Sequence, residues 1–99
     1  MIYEIARVEI KVGHTEMFEA DIAKAIPIFK RAQGSQQMWL EKSIEEPRYY
    51  RIIVQWNRLE DHTIGFRESE DYVIWRDLVG DHFASPPVVE HTHVVINGF

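Results

Sequence analysis

Residues 56–67 of the chain read WNRLEDHTIGFR, and this segment decides the fold. Leu59, His62 and Phe66 recur at the spacing that places side chains on one face of a helix. Asn57 precedes them and is a residue type that caps the first turn of a helix. The segment therefore predicts a helix that begins at Asn57 and turns His62 toward the core.

Residues 69–83 read SEDYVIWRDLVGDHF and predict a further helix directly after the first. Ser69 is a typical helix-capping residue. Tyr72, Trp75 and Val79 follow helical spacing and predict a buried face. Two short consecutive helices thus present aromatic side chains to a common core.

Four other segments alternate between apolar and polar residues, which is typical of β-strands. A short turn at residues 45–48 predicts that the two middle segments form a hairpin. The predicted strands are residues 2–10, 36–44, 49–56 and 88–96.

One more helix is predicted between the first two strands, from Thr15 to a stop at Gly34. Pro27 lies inside it and cannot donate a backbone hydrogen bond, so we expect a kink there. The expected buried stripe consists of Phe18, Ile22, Ala25, Ile26 and Phe29.

The element order β-α-β-β-α-α-β predicts an α+β fold over residues 1–99 as one domain, namely a ferredoxin-like plait with a four-stranded antiparallel sheet. Helices cover only one face of such a sheet. The other face also carries apolar residues, so we expect a homodimer that packs sheet against sheet.

Composition excludes several classes of function. The net charge of -5 argues against nucleic-acid binding, which needs a basic surface. The chain has no cysteine and therefore no thiolate chemistry or disulfides. It shows neither a signal-peptide pattern nor an apolar run of about 20 residues, so we expect a cytoplasmic protein without membrane contact.

Three motifs together resemble the antibiotic biosynthesis monooxygenase family: residues 56–69, Tyr72-x-x-Trp75-Arg76 and residues 87–91, PVVEH. The resemblance extends over nearly the whole chain. It implies a dimeric α+β barrel with a pocket between each sheet and its helices. It also implies oxygenase chemistry without a cofactor on a small aromatic substrate such as a quinol or polyphenol.

Two branches of this family differ from the chain at their functional positions. The haem-degrading branch has an Asn in the first strand, a Trp in the second helix and a His in the third, and Phe66 stands here in place of that Trp. The anthrone-oxidising branch has Asn, Trp and Tyr where this chain has His62, Phe66 and Tyr72. The resemblance therefore favours neither of these two activities.

A cofactor-free oxygenase needs a base that deprotonates its phenolic substrate in a dry pocket. His62 and His91 are the candidate bases, since histidine titrates near neutral pH. Arg67 is a candidate to hold a phenolate or carboxylate. The candidate ring-binding residues are Trp56, Phe66, Tyr72 and Trp75.

Each candidate also has a purely structural interpretation. His62 could be a hydrogen-bonded core residue, and Arg67 could pair with Glu68, Glu70 or Asp71 at the surface. His91 and His93 share a strand face, but no facing carboxylate completes a metal site, and we expect no metal. A binding or stress-related module without turnover is the alternative to the oxygenase.

Overall fold

The computed structural model describes all residues from 1 to 99 and contains one four-stranded antiparallel sheet in the order β2-β3-β1-β4. Helices cover one of its faces. This confirms the predicted ferredoxin-like α+β fold, with a sheet that stays open at both edges. The strands are β1 (Ile2–Glu9), β2 (Ser35–Lys42), β3 (Tyr49–Trp56) and β4 (Val88–Thr92), and the helices are α1 (Thr15–Lys30) and α2 (Glu70–Val79).

The register sorts side chains between the two faces of the sheet. Ala6 of β1 lies opposite Ile52 of β3 and opposite Val89 of β4. Ala6 and Ile52 are buried beneath the helices, as the alternation predicts. The opposite face carries Ile5 and its β3 neighbour Ile53.

Two packed clusters hold α1 on the sheet. Phe18 and Ile22 pack near one end, against residues that include Val8. Phe29 packs near the other end, against a group that includes Trp56. Phe18 and Trp56 are both fully buried, and each such side chain stabilises the fold by roughly 1.5–3 kcal/mol.

Helix α1 continues through Pro27 to Lys30, with Gly34 four residues later at a φ of 86°. Ile28 is buried beside Phe29, whereas Ile26 is 48% exposed. The expected place of Ile26 in the buried stripe was therefore wrong.

The segment after β3 differs from the predicted regular helix. Residues Asp61–Phe66 form a π-helix, and the Asp61 carboxylate accepts the backbone N–H of Arg58 at 3.2 Å. Asn57 instead donates its backbone N–H to the Gly34 carbonyl at 2.7 Å. The predicted Asn57 cap was wrong, because no side chain caps this helix and the Asn57 backbone N–H is bound to Gly34.

The observed ends of two strands also differ from the ends that the alternation predicts. β2 ends at Lys42, which leaves Ile44 90% exposed, and β4 ends at Thr92. Beyond Thr92 the apolar residues have no neighbouring strand in the single chain, and Val95 and Ile96 are 82% and 84% exposed. None of the helices is both long and apolar enough to span a bilayer.

Candidate functional site

A cavity of about 200 Å³ lies between the sheet and the segments that cover it. β1 and β3 contribute its floor, the π-helix and α2 contribute its walls, and the loop before β4 closes one side. Nine of its fifteen lining residues are hydrophobic, so water inside it is poorly held. The lining comprises Glu4, Ala6, Val8, Ile52, His62, Phe66, Arg67, Tyr72, Trp75, Arg76, Val79, Gly80, Phe83, Pro87 and Val89.

This cavity brings together five of the seven candidate residues, namely His62, Phe66, Arg67, Tyr72 and Trp75. Ser69 caps α2 as expected, since its hydroxyl accepts the backbone N–H of Tyr72 at 3.2 Å.

The remaining two candidates lie behind His62 rather than on the cavity wall. The Trp56 indole stacks on the His62 ring with centroids 5.5 Å apart and an interplanar angle of 23°. His91 Nε2 lies 2.8 Å from His62 Nδ1. Trp56 and His91 therefore orient His62 and do not touch the cavity.

Glu4 is the one acidic residue of the lining, and sequence reasoning did not single it out. Its side chain is buried, and Trp56 Nε1 donates to Glu4 Oε1 at 3.0 Å. His62 Nε2 lies 3.3 Å from the same oxygen. Burial disfavours the charged carboxylate and raises the pKa of Glu4 to about 7, although the Trp56 hydrogen bond and the Arg67 charge oppose the shift.

The pKa of His62 is shifted in the opposite direction. Burial lowers the pKa of its imidazole to about 4, and the neighbouring His91 and Arg67 add to the effect. His62 is therefore neutral at pH 7. The group of this site that titrates near neutral pH is the Glu4 carboxyl and not the imidazole.

Glu4, His62 and His91 lie in a row: Glu4 Oε1 is 3.3 Å from His62 Nε2, and His62 Nδ1 is 2.8 Å from His91 Nε2. Protonated Glu4 can donate to His62 Nε2, and His62 Nδ1–H then donates to His91. Ionised Glu4 accepts from His62 Nε2–H, and His62 Nδ1 then accepts from His91. Both protonation states of Glu4 are thus satisfied by a change of imidazole tautomer.

Arg67 and Arg76 stand where the cavity opens to solvent. Both are exposed, and neither forms an ion pair. Asp71, one of the three acids that could have paired with Arg67, binds Arg31 through two bonds of 2.7 and 2.8 Å instead. The Arg76 guanidinium lies over the Tyr72 ring, 5.9 Å from its centroid.

Two other features lie outside this cavity. A groove of about 440 Å³ runs along the β2–β3 hairpin, but only three of its ten lining residues are hydrophobic. His82 Nε2 bonds Asp21 at 2.7 Å, and its Nδ1 lies 3.1 Å from His14 Nδ1. No group of three His, Asp or Glu side chains has the arrangement of a metal site.

A sequence signal for Glu4 does exist. Glu4 alternates with Ile2, Ala6 and Val8, so it is a carboxyl on the apolar face of a strand. What the pattern could not show is that Trp56 and His62, more than 50 residues away in the chain, supply the polar groups around its carboxyl.

Comparison with known proteins identifies relatives of this chain. No family model matches the chain, but two individual proteins do. The uncharacterised protein YczJ of Bacillus subtilis is 38% identical over 91 residues, which cover 92% of this chain and 96% of YczJ. A Bordetella bronchiseptica crystal structure named for the antibiotic biosynthesis monooxygenases is 42% identical, covers 96% of this chain and 97% of its own, and superposes with a TM-score of 0.94.

A more distant structure has the same fold. A mutant form of the cofactor-independent oxygenase SnoaB of Streptomyces nogalater superposes with a TM-score of 0.82 over 97% of this chain and 94% of its own at 12% identity. That likeness concerns the fold alone. The Bordetella structure at 42% identity carries the assignment, and the chain belongs to the antibiotic biosynthesis monooxygenase family.

Proposed function

We propose that the protein is a cofactor-independent monooxygenase that oxidises a small phenolic substrate, such as a quinol, inside the cavity beside Glu4. One observation carries this proposal: a buried carboxyl with a pKa of about 7 lines an apolar, aromatic-walled cavity. A general base is most effective when its pKa lies near the operating pH. The family name of the Bordetella relative supports the same chemistry.

The first step is deprotonation of the substrate hydroxyl. Ionised Glu4 takes the proton, and His62 and Trp56 keep its oxygen in place. The ring becomes an electron-rich phenolate, which Arg67 stabilises by its charge. Phe66, Tyr72 and Trp75 contact the ring and exclude water.

The second step consumes dioxygen. The phenolate transfers one electron to dioxygen, and the resulting radical pair combines to form a carbon–oxygen bond. Glu4 returns its proton to the peroxide. The same ring carbon then loses its hydrogen as a proton, the O–O bond breaks, and water leaves. A phenol and dioxygen thus give a quinone and water, and Glu4 ends ionised again.

Oxygen uptake by chelator-treated protein with a panel of hydroquinones tests this proposal. We expect uptake above the buffer rate, with one water formed and one quinone appearing for each dioxygen consumed. Glu4→Gln removes the base, so the rate should fall by about 10²–10⁴-fold. Glu45→Gln, which changes an exposed acid in the hairpin turn, is the matched control and should retain the wild-type rate.

Uptake that never exceeds the buffer rate would contradict the oxygenase. If the same quinols nevertheless raise the melting temperature, the protein is a binding module without turnover. If Glu4→Gln remains as active as Glu45→Gln, another group is the base, and His62 is then the next candidate.

We further propose that two copies pair through the open face of the sheet. Ile5, Trp39 and Ile53 lie side by side there, and Tyr3 packs edge-on against Trp39 with centroids 6.2 Å apart. Apolar side chains on an uncovered sheet face favour an interface. A second copy fits, because the same patch serves both partners in a two-fold dimer.

A further inference from the structure

We infer that the ligand of this cavity is an aromatic hydroxy acid, whose ring carboxylate binds Arg67 and Arg76 at the mouth while its hydroxyl faces Glu4. The inference rests on the proposed function for the role of the hydroxyl. Binding of the carboxylate is independent of turnover.

Exposure shows which end of the cavity is the mouth. Glu4, His62 and Phe66 are buried, with at most 8% of their surface exposed, and form the inner end. Arg67 and Arg76 are exposed members of the same lining. A ligand that fills the cavity therefore has its inner edge at the carboxyl and its outer edge at two guanidinium groups.

The charge balance at this mouth favours an anion. The chain carries a net charge of -5, and Arg31, Arg48 and Arg58 each pair with a carboxylate. Arg67 and Arg76 have no such partner, and the other two arginines without an ion pair, Arg7 and Arg51, lie outside this cavity. Burial lowers the pKa of His62 to about 4 and shifts the pKa of His91 in the same direction, which disfavours a positive charge on either imidazole. The mouth thus carries two positive charges, and the one carboxyl of the lining, at the inner end, is only partly ionised at pH 7.

Stabilisation of ionised Glu4 accounts for only part of this arrangement. The Arg67 charge lowers the pKa of Glu4, but burial outweighs it, and the two groups are not within ion-pair distance. Arg76 does not act on Glu4. Its contact is with the face of the Tyr72 ring, which holds a guanidinium in place while leaving its N–H donors free.

Cavity size limits the rest of the ligand. Sites for drug-sized molecules measure about 300–1,000 Å³, whereas this cavity holds about 200 Å³. The apolar walls and aromatic rings suit one flat ring or two fused rings. A carboxylate on such a ring can accept two parallel hydrogen bonds from a guanidinium.

Calorimetric titration without oxygen tests the inference with three probes: 2,5-dihydroxybenzoate, its methyl ester and hydroquinone. We expect the acid to bind at least about tenfold more tightly than the ester, because charge-assisted hydrogen bonds are lost in the ester. Arg67→Gln and Arg76→Gln should each weaken binding of the acid by about tenfold and leave binding of the ester unchanged. Lys11→Gln removes an exposed positive charge elsewhere and should change neither.

An ester that binds as tightly as the acid, or no binding of either, overturns the inference. The inference also fails if both arginine variants lose equal affinity for the acid and the ester at an unchanged melting temperature. Oxygen uptake separates this result from the proposed function. Tight binding of the acid without any oxygen uptake supports the carboxylate site and contradicts the oxygenase. Oxygen uptake with hydroquinone and no preference for the acid over the ester supports the oxygenase and contradicts the carboxylate site.

Discussion

The Glu4 and His62 side chains respond to burial in opposite directions, and this has a consequence for stability. Burial raises the pKa of Glu4 from 4.5 to about 7 and lowers that of His62 from 6.5 to about 4. Each shift favours the neutral form. Between pH 4 and 7 the folded protein therefore buries two neutral, hydrogen-bonded groups instead of two charges.

The signs follow from linkage. The Glu4 contribution is present below pH 4.5 and is lost as the pH rises through 7, because the unfolded chain releases that proton first. The full loss is about 3 kcal/mol. The His62 contribution is present above pH 6.5 and is lost as the pH falls to 4, because the unfolded chain takes up a proton first. Between pH 4.5 and 6.5 the pH dependences of the two contributions are opposite and cancel, so the free energy of unfolding stays level there.

Single substitutions should expose each contribution separately. The free energy of unfolding of His62→Gln should fall as the pH rises from 4.5 to 8, whereas that of Glu4→Gln should fall as the pH drops from 6.5 to 4. Urea unfolding at several pH values measures both profiles. Glu45→Gln and His93→Gln, which alter exposed residues, should follow the wild type. Parallel profiles for all variants would contradict the assigned shifts.

Sequence reasoning reached the walls of this site but not its acid. Helical spacing placed His62, Phe66 and Tyr72 on faces that the structure turns to the cavity. Spacing within one element cannot show which partners come from another. The pKa of Glu4 depends on burial by packing across the sheet, so no local pattern contains it.

At the scale of elements, the π-helix explains why the helix prediction after β3 failed in detail. Periodicity anticipated buried His62 and Phe66 but also buried Leu59, which is 40% exposed. A π-helix widens the turn and shifts the buried face relative to an α-helix. At its start, Asp61 lies against Gly34 in the loop between α1 and β2, and the Asp61 carboxylate accepts the Arg58 N–H.

Replacement of Gly34 should therefore be costly for two reasons. Its φ is positive, and an added Cβ would overlap the Asp61 carboxylate that caps the Arg58 amide. Gly13 has nearly the same φ but open space around it. We expect Gly13→Ala to lower the free energy of unfolding by about 1–2 kcal/mol and Gly34→Ala to lower it by clearly more.

Urea unfolding of both variants measures the difference, which isolates the contact with Asp61 from the backbone strain. Gly34→Ala combined with Asp61→Gly should recover part of the loss, since the overlap disappears. Equal losses for the two alanine variants would show that the Asp61 contact has no energetic weight.

At the scale of the whole molecule, the sheet separates two kinds of apolar residue that the sequence could not tell apart. Ile52 and Ile53 are adjacent and both apolar, but the register turns Ile52 toward the helices and Ile53 toward the open face. Alternation showed that the two residues lie on different faces but not which face the helices cover. Substituting Ile52 thus tests the core, and only residues of the outer face test association.

Trp39 is the residue of choice for testing the dimer, because it lies on the outer face of β2 and is 36% exposed in the single chain. We expect the wild type to sediment as a dimer at micromolar concentration and Trp39→Lys to sediment as a monomer, since a buried lysine charge opposes an apolar interface. Ile26→Lys is the matched control. Ile26 is also exposed but lies on α1, on the side of the sheet opposite Trp39, so this variant should remain dimeric. A wild type that sediments as a monomer would contradict pairing through the open face.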